Sequence, residues 1–304
     1  MNRPIDRVIA QINTVILGKE PQIRLALACL LARGHLLIED IPGVGKTTLA
    51  HVLAASLGLK YNRIQFTSDL LPADILGSAV YEKAAGEFRF HPGPIFAQLI
   101  LADEINRATP KSQSALLEAM EEYQVTIEGE TRPLPEPFFV IATQNPAYQI
   151  GTFPLPESQL DRFLMRLQLG YPDPQAEREL LAGVSRRELM KEIKPLLSIA
   201  ELCALQDDVE KIHCAPSLLD YVQAILGASR SGPFYRAGLS PRAGLSLVHA
   251  ARAWALLERR DFVIPEDVQY VLPYVAGHRL QASGERNGAA RADLITPLLE
   301  VPIP

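Results

Sequence analysis

The stretch "LLIEDIPGVGKTTLAHVL", residues 36–53, constrains this chain more than any other. A short apolar run meets Pro42-Gly43 and is followed by a segment with helical spacing that Gly58 stops. That order reads as buried strand, loop, helix. The loop closes with Gly45-Lys46-Thr47, the end of a phosphate-loop pattern, but Asp40 stands where the pattern's first Gly belongs. A strand that stops and opens a helix points several backbone N–H groups at one spot, and the helix N-terminus adds partial positive charge there. Residues Pro42, Gly43, Val44, Gly45, Lys46, Thr47 and Thr48 are therefore the expected anion cradle. Gly43 and Gly45 let the backbone approach closely, Lys46 meets the terminal phosphates, and Thr47 offers its hydroxyl to Mg2+. The first pattern position precedes this nest, so Asp40 is tolerable if its carboxylate points away from the anion. The expectation is that it turns outward.

Further buried runs follow: "YNRIQF", "LILADE", "PFFVIATQN" and "RFLMRLQL". Apolar strands alternating with helices predict an α/β fold with a parallel sheet covered on both faces. Two segments, "SAVYEKAAGEFRFHPG" and "QVTIEGETRPL", carry polar residues at alternate positions and read as exposed antiparallel hairpins. After "LGYPDP" the strand signals end. Helices are expected over 175–197, 199–211, 217–229, 241–259 and 265–276, with the boundary between an α/β core and a helical domain placed between residues 1–171 and 172–304.

The third run ends in Asp103 and Glu104, at the C-terminal edge of a parallel strand, where ligands gather in such sheets. Asp103 would join the Mg2+ shell, and Glu104 would orient and deprotonate an attacking water. Two adjacent carboxylates could also merely cap the helix "PKSQSALLEAMEE"; the upstream loop favours the catalytic reading. Asn145 ends the fourth run and could hold the lytic water, or form an Asn-Pro turn with Pro146. Arg162 precedes the fifth run, and Arg242 follows Ser240-Pro241, an apparent helix N-cap and first position. A cation in a first turn opposes the helix dipole, so Arg242 needs an anion nearby unless it is a tolerated surface residue. Arg107 and Arg166 are lesser candidates.

Composition sets the outer limits. The 304 residues carry a net charge of -5, with 48% apolar and 21% charged residues, as in an ordinary globular protein. Nothing global suggests a phosphate-backbone surface, so a nucleic-acid partner is not expected. Three cysteines without a C-x-x-C pair suit a reducing compartment, and His213 beside Cys214 lacks the second pair a metal site needs. The longest apolar run, "LALACLLA", is far below the ~20 residues of a membrane span. The start of the chain reads as an amphipathic helix rather than a signal peptide, and the expected location is the cytoplasm.

Five ordered motifs, "EDIPGVGKTTLA", "LILADEINRATPKSQSALLEAMEE", "FFVIATQNP", "LPESQLDRF" and "GLSPRAGL", closely resemble the MoxR family of AAA+ ATPases. The resemblance implies a P-loop core with a five-stranded parallel sheet, a C-terminal all-helical lid, ATP and Mg2+, and rings that are usually hexamers with nucleotide between subunits. It makes Lys46 and Thr47 the phosphate loop, Asp103 and Glu104 the metal and water pair, and Asn145 the first sensor. Arg162 would be the finger reaching a neighbour's site, and Arg242 the lid's second sensor on its own subunit's nucleotide. The hairpins match the helix-2 insert and pre-sensor hairpin, at the ring's axial face or pore. A chaperone-like remodeller acting with a von Willebrand factor A-type (VWA) partner, on a client protein or metalloenzyme, is the first functional expectation. A nucleic-acid-translocating motor and a non-hydrolysing nucleotide switch are the alternatives.

Overall fold

A computed structural model describes residues 3–84, 86–145, 152–183, 186–231, 234–283 and 291–303. Strands β1 (Leu36–Glu39), β2 (Tyr61–Gln65), β5 (Leu99–Asp103), β8 (Phe139–Gln144) and β9 (Met165–Leu167) form one sheet in the order β2-β5-β8-β1-β9. Every pairing is parallel. Leu36 and Ile38 join a buried cluster on one face while Leu37 joins the other; Leu99 and Leu101 alternate with Ile100 and Ala102 in the same way. Side chains that alternate between two buried faces leave no polar phase in the sequence, which is why these strands read as unbroken apolar runs.

Helices α1 (Pro4–Val15), α2 (Glu20–Leu31) and α3 (Lys46–Ser56) contribute to the first cluster, α4 (Pro72–Leu76) and α5 (Pro110–Glu122) to the second. The stripe Ile5, Val8, Ile9, Ile12 and Val15 is the buried face of α1, as its spacing predicts. Hairpins β3 (Gly77–Glu82)–β4 (Glu87–Pro92) and β6 (Gln124–Ile127)–β7 (Glu130–Pro133) stand outside the sheet. The second turns on Glu128 and Gly129, both at positive φ, 53° and 83°, the backbone hand that a two-residue hairpin loop requires. The Arg132 guanidinium lies over the Phe90 ring at 4.1 Å and ties the two ribbons together.

After α6 (Glu157–Leu160) and β9, the described elements are helical: α7 (Pro174–Ala182), α8 (Arg186–Glu192), α9 (Ile199–Lys211), α10 (Pro216–Ser231), α11 (Pro241–Leu257), α12 (Pro265–Ala276) and α13 (Arg291–Leu299). The single helix expected over 175–197 is two, because Gly183 leaves α7 with extended backbone at ψ 176°. Helix α13 went unforeseen; Pro297 inside it weakens the helical signal. Helix α11 packs on α2, α9 and α12, so the helical region and one face of the sheet share a single buried cluster. Trp254 of α11 stacks on Tyr270 of α12 at 4.1 Å, with the Arg24 guanidinium of α2 5.4 Å from the indole.

Candidate nucleotide site

The loop between β1 and α3 has the backbone its glycines permit. Gly43 and Gly45 take φ of 86° and 95°, and a Cβ at either would meet nothing within 4 Å. Conformation rather than crowding therefore demands glycine here, and the space over the loop is open. Lys46 is buried and turns back across the loop, donating from Nζ to the Asp40 main-chain oxygen at 2.6 Å and to Asn145 Oδ1 at 3.4 Å. Burial pushes the Lys46 ammonium below its ordinary pKa, and the charges of Asp40, Asp103 and Glu104 pull the other way.

Asp40 leaves the anion's side of the loop, but inward rather than outward. Its Oδ2 accepts the N–H groups of Leu169 at 2.6 Å and Gly170 at 2.7 Å, and Oδ1 accepts that of Ile41 at 2.8 Å. Strand β9 is one edge of the sheet, and the chain leaving it carries N–H groups that no strand pairs. The carboxylate satisfies two of them. An acidic residue at this position thus fastens the end of the sheet to the phosphate loop.

Asp103 and Glu104 sit where the sequence places them, with partners it does not name. Asp103 Oδ1 accepts from Thr143 Oγ1 at 2.6 Å, and Oδ2 accepts from Arg63 Nε at 3.1 Å and Nη2 at 2.6 Å. The Glu104 backbone is left-handed (φ 57°, ψ 48°), held by its N–H donating to Thr143 Oγ1 at 2.8 Å. That twist turns its carboxylate to the Asn145 amide at 2.9 Å, with Gln65 Nε2 at 3.2 Å and Arg107 Nη1 at 3.0 Å on the other oxygen. Asn145 therefore joins Lys46 to Glu104 directly; Pro146, needed for the turn reading, lies outside the described residues. Thr143, Arg63 and Gln65 were missed. The signal was polar residues two apart at the ends of apolar strands, Thr143 with Asn145 and Arg63 with Gln65, which the period of two puts on one side.

The donor set suits a hard cation. Asp103 is a carboxylate that already holds a positive group, and Thr47, next to Lys46 in the first turn of α3, is exposed. Among the described residues there is no cluster of three or more His, Cys, Asp or Glu. A metal held by one or two protein oxygens and by phosphate matches Mg2+, which keeps much of its water.

A cavity of about 460 Å³ opens from the loop, lined by Gly43, Val44, Gly45 and Thr48 on one side and by Ile16, Leu17 and Tyr171 on the other. Its wall comes from the α1–α2 turn and from the segment after β9, where Lys19 Nζ donates to the Tyr171 main-chain oxygen at 2.6 Å. Such a cavity, polar at one end and apolar at the other, fits a nucleotide with phosphates on the loop and base against the aliphatic wall. Thr47 and Thr48 also line a neighbouring cavity of about 450 Å³ with His51 and Arg186.

The two arginines lie elsewhere, together. Glu121, at the end of α5, accepts from Arg162 Nη2 at 2.9 Å and from Arg242 Nη1 at 3.1 Å. Arg242 does find the anion its helix position needs, but it is this carboxylate rather than a phosphate on its own loop. The packing of α11 on α2 and α12 brings its first turn to the α6 region, where Ser240 Oγ reaches Asp161 Oδ2 at 3.5 Å and Arg279 Nε reaches Asp161 Oδ1 at 2.6 Å. Of the lesser candidates, Arg107 joins Glu104, whereas Arg166 bridges Glu39 at 3.3 Å and the Gly277 oxygen at 3.0 Å, away from the cradle.

Residues 35–165 match the ATPase family associated with various cellular activities (AAA), and residues 227–298 match the AAA lid domain. The chain is 45% identical over 281 residues to the uncharacterized protein YeaC of Bacillus subtilis, covering 92% of this chain and 88% of that one. It is 41% identical over 304 residues to the chaperone MoxR1 of Mycobacterium tuberculosis, covering 96% of this chain and 78% of the relative. The crystal structure of a candidate ATPase from Cytophaga hutchinsonii superposes with a TM-score of 0.91 at 36% identity, over 98% of this chain and 94% of the other. Among the described residues no helix is long and apolar enough to cross a membrane.

Proposed function

The chain belongs to the MoxR family of AAA+ ATPases, and from that premise we propose that it hydrolyses ATP with Mg2+ in a ring of its own copies, remodelling other proteins. Hydrolysis, rather than nucleotide binding alone, rests on one observation: the Asn145 side chain spans Lys46 and Glu104, at 3.4 and 2.9 Å. A carboxylate held by an amide that also touches the phosphate-binding lysine is placed to take a proton from a water facing the terminal phosphate.

The residues divide the work as follows. Loop N–H groups from Gly43 to Thr48 and the Lys46 ammonium bind the phosphates. Thr47 and Asp103 would hold Mg2+, whose charge offsets the negative charge that builds as the terminal phosphoryl group leaves. Glu104 accepts the proton and Asn145 aligns the water. Arg162 and Arg242, bracketing Glu121, face a neighbouring subunit's nucleotide in this reading, so the lid arginine acts across the interface rather than within its own subunit. Two arginines on one carboxylate leave a net positive charge at that surface, which suits a phosphate donated by another copy. A hexamer is the ring size the family suggests.

The work on other proteins rests on kinship and on the hairpins. A relative carries the name chaperone MoxR1. At the β3–β4 tip Tyr81 and Phe88 form an exposed cross-strand pair 5.3 Å apart, while Arg89 and His91 face Glu82 at 3.7 and 3.4 Å. Aromatic surface with internally paired charges favours a polypeptide over a nucleic acid. A VWA-domain partner and a client protein or metalloenzyme in the cytoplasm complete the proposal.

Phosphate release measured across subunit concentration tests it. The rate per subunit should rise as rings form, and the Glu104→Gln chain should bind ATP without turning it over. Equal, near-zero rates for wild type and Glu104→Gln at assembling concentrations would replace hydrolysis with a nucleotide switch.

A further inference from the structure

Asp103 already carries a cation. Arg63, in the middle of β2, reaches across to Oδ2 with two donors, Nε at 3.1 Å and Nη2 at 2.6 Å, and the same Nη2 also meets Gln65 Oε1 at 2.7 Å. The remaining oxygen of Asp103 accepts from Thr143. Both carboxylate oxygens are thus engaged, and the one facing away from Thr143 is filled by a guanidinium fork. The two partners differ in exposure: the Arg63 side chain is 48% exposed and the Asp103 side chain 10%. The carboxylate is fixed in the fold, and the arginine lies on the solvent side of it, on an edge strand of the sheet.

Resting on the nucleotide reading above, we infer that Arg63 is a displaceable stand-in for the divalent metal: it holds Asp103 when no metal is bound and must leave for the metal shell to form. Two arguments carry this. A buried carboxylate without a counter-charge is costly, so the empty site needs a cation, and Arg63 supplies it. A guanidinium and a divalent ion cannot share one carboxylate oxygen without strong like-charge repulsion, so the two states exclude each other. The metal's apparent affinity is then its intrinsic affinity reduced by the fraction of subunits in which Arg63 has swung out. Arg63 is a positioning residue: it sets the state of Asp103 and touches no reacting atom.

The test titrates Mn2+, read by electron paramagnetic resonance, into the full-length chain saturated with ADP. Wild type is compared with Arg63→Ala, Arg63→Lys and Arg63→Gln. If about one subunit in ten has Arg63 withdrawn, removing the guanidinium tightens Mn2+ binding about tenfold. Arg63→Lys, which keeps the charge but loses the fork, falls between. Metal-free ADP affinity stays within about twofold of wild type throughout. Arg63→Gln retains a polar partner for Asp103, so it gives the same reading should Arg63→Ala fail to fold. Unchanged or weaker Mn2+ binding in the folded variants, with ADP bound as in wild type, would overturn the inference, leaving Arg63 a structural ion pair. A wild-type chain that binds no ADP removes the nucleotide reading itself, and this inference with it.

Discussion

The two charged centres of this molecule are built in opposite ways. Around Lys46, Asp103, Glu104 and Asn145 every charged group meets a partner from the same sheet edge, and Lys46, Asp103 and Asn145 are buried. Around Glu121 two arginines from different regions share one carboxylate, with the Arg242 side chain 47% exposed. The first centre is finished by the folding of one chain. The second has an excess of cation and no phosphate of its own, which is the geometry expected of groups that complete another subunit's site.

Mutations should separate the two centres by what they leave intact. The largest effect is expected at the open one: Arg162→Ala should lower phosphate release by ~10^3-fold or more while ATP affinity stays near wild type, because a finger acts on the transition state. Glu104→Gln should lower it by ~10^2- to 10^4-fold, again with ATP retained, as for loss of a general base. Isothermal titration beside a phosphate-release assay reads both, and a parallel loss of ATP affinity in Arg162→Ala would erase the distinction.

Stability should respond mainly on the closed side. Asp40→Ala strands the N–H groups of Leu169 and Gly170 and should cost about 3 kcal/mol in urea unfolding, given charge-assisted bonds of ~1.5–3 kcal/mol each. Glu121→Gln, which removes a half-exposed pairing, should cost under ~1 kcal/mol. His35 gives a pH signature beneath the same sheet. Its Nδ1 accepts the Val140 N–H at 3.1 Å and its Nε2 donates to the Met120 oxygen at 3.0 Å, so the buried ring is neutral, and burial lowers its pKa to about 4. The unfolded chain takes up the proton first. Stability is therefore full above pH ~6.5 and declines by roughly 3 kcal/mol as pH falls toward 4, a slope that His35→Gln should flatten. An unchanged slope in that variant would place the acid sensitivity elsewhere.

How much of this was legible in the sequence differs between the same two centres. Lys46, Asp103, Glu104 and Asn145 could be read from short motifs because Asp103, Glu104 and Asn145 stand at the ends of apolar strands and Lys46 opens the helix after another, and a parallel sheet brings strand ends together. The orientation of Asp40 could not, since it depends on an edge strand more than a hundred residues away. Neither could the meeting of Arg162 and Arg242 at Glu121. Helix N-capping predicted that Arg242 needed an anion, but which anion depends on how α11 lies across α2 and α12, and helical spacing says nothing of that. The break at Gly183 and the cavity wall of Ile16, Leu17 and Tyr171 were missed for the same reason: each is made by segments that carry no motif.

The central claim is that the cradle and the guanidinium belong to different subunits at each working site, and complementation tests it most directly. Lys46→Ala subunits lack a working cradle but keep Arg162; Arg162→Ala subunits keep the cradle and lack the finger. Phosphate release from an equimolar mixture should exceed the sum of the two variants assayed alone, because some interfaces then pair an intact cradle with an intact arginine. A mixture no faster than that sum, under conditions where the two variants co-assemble, would contradict it.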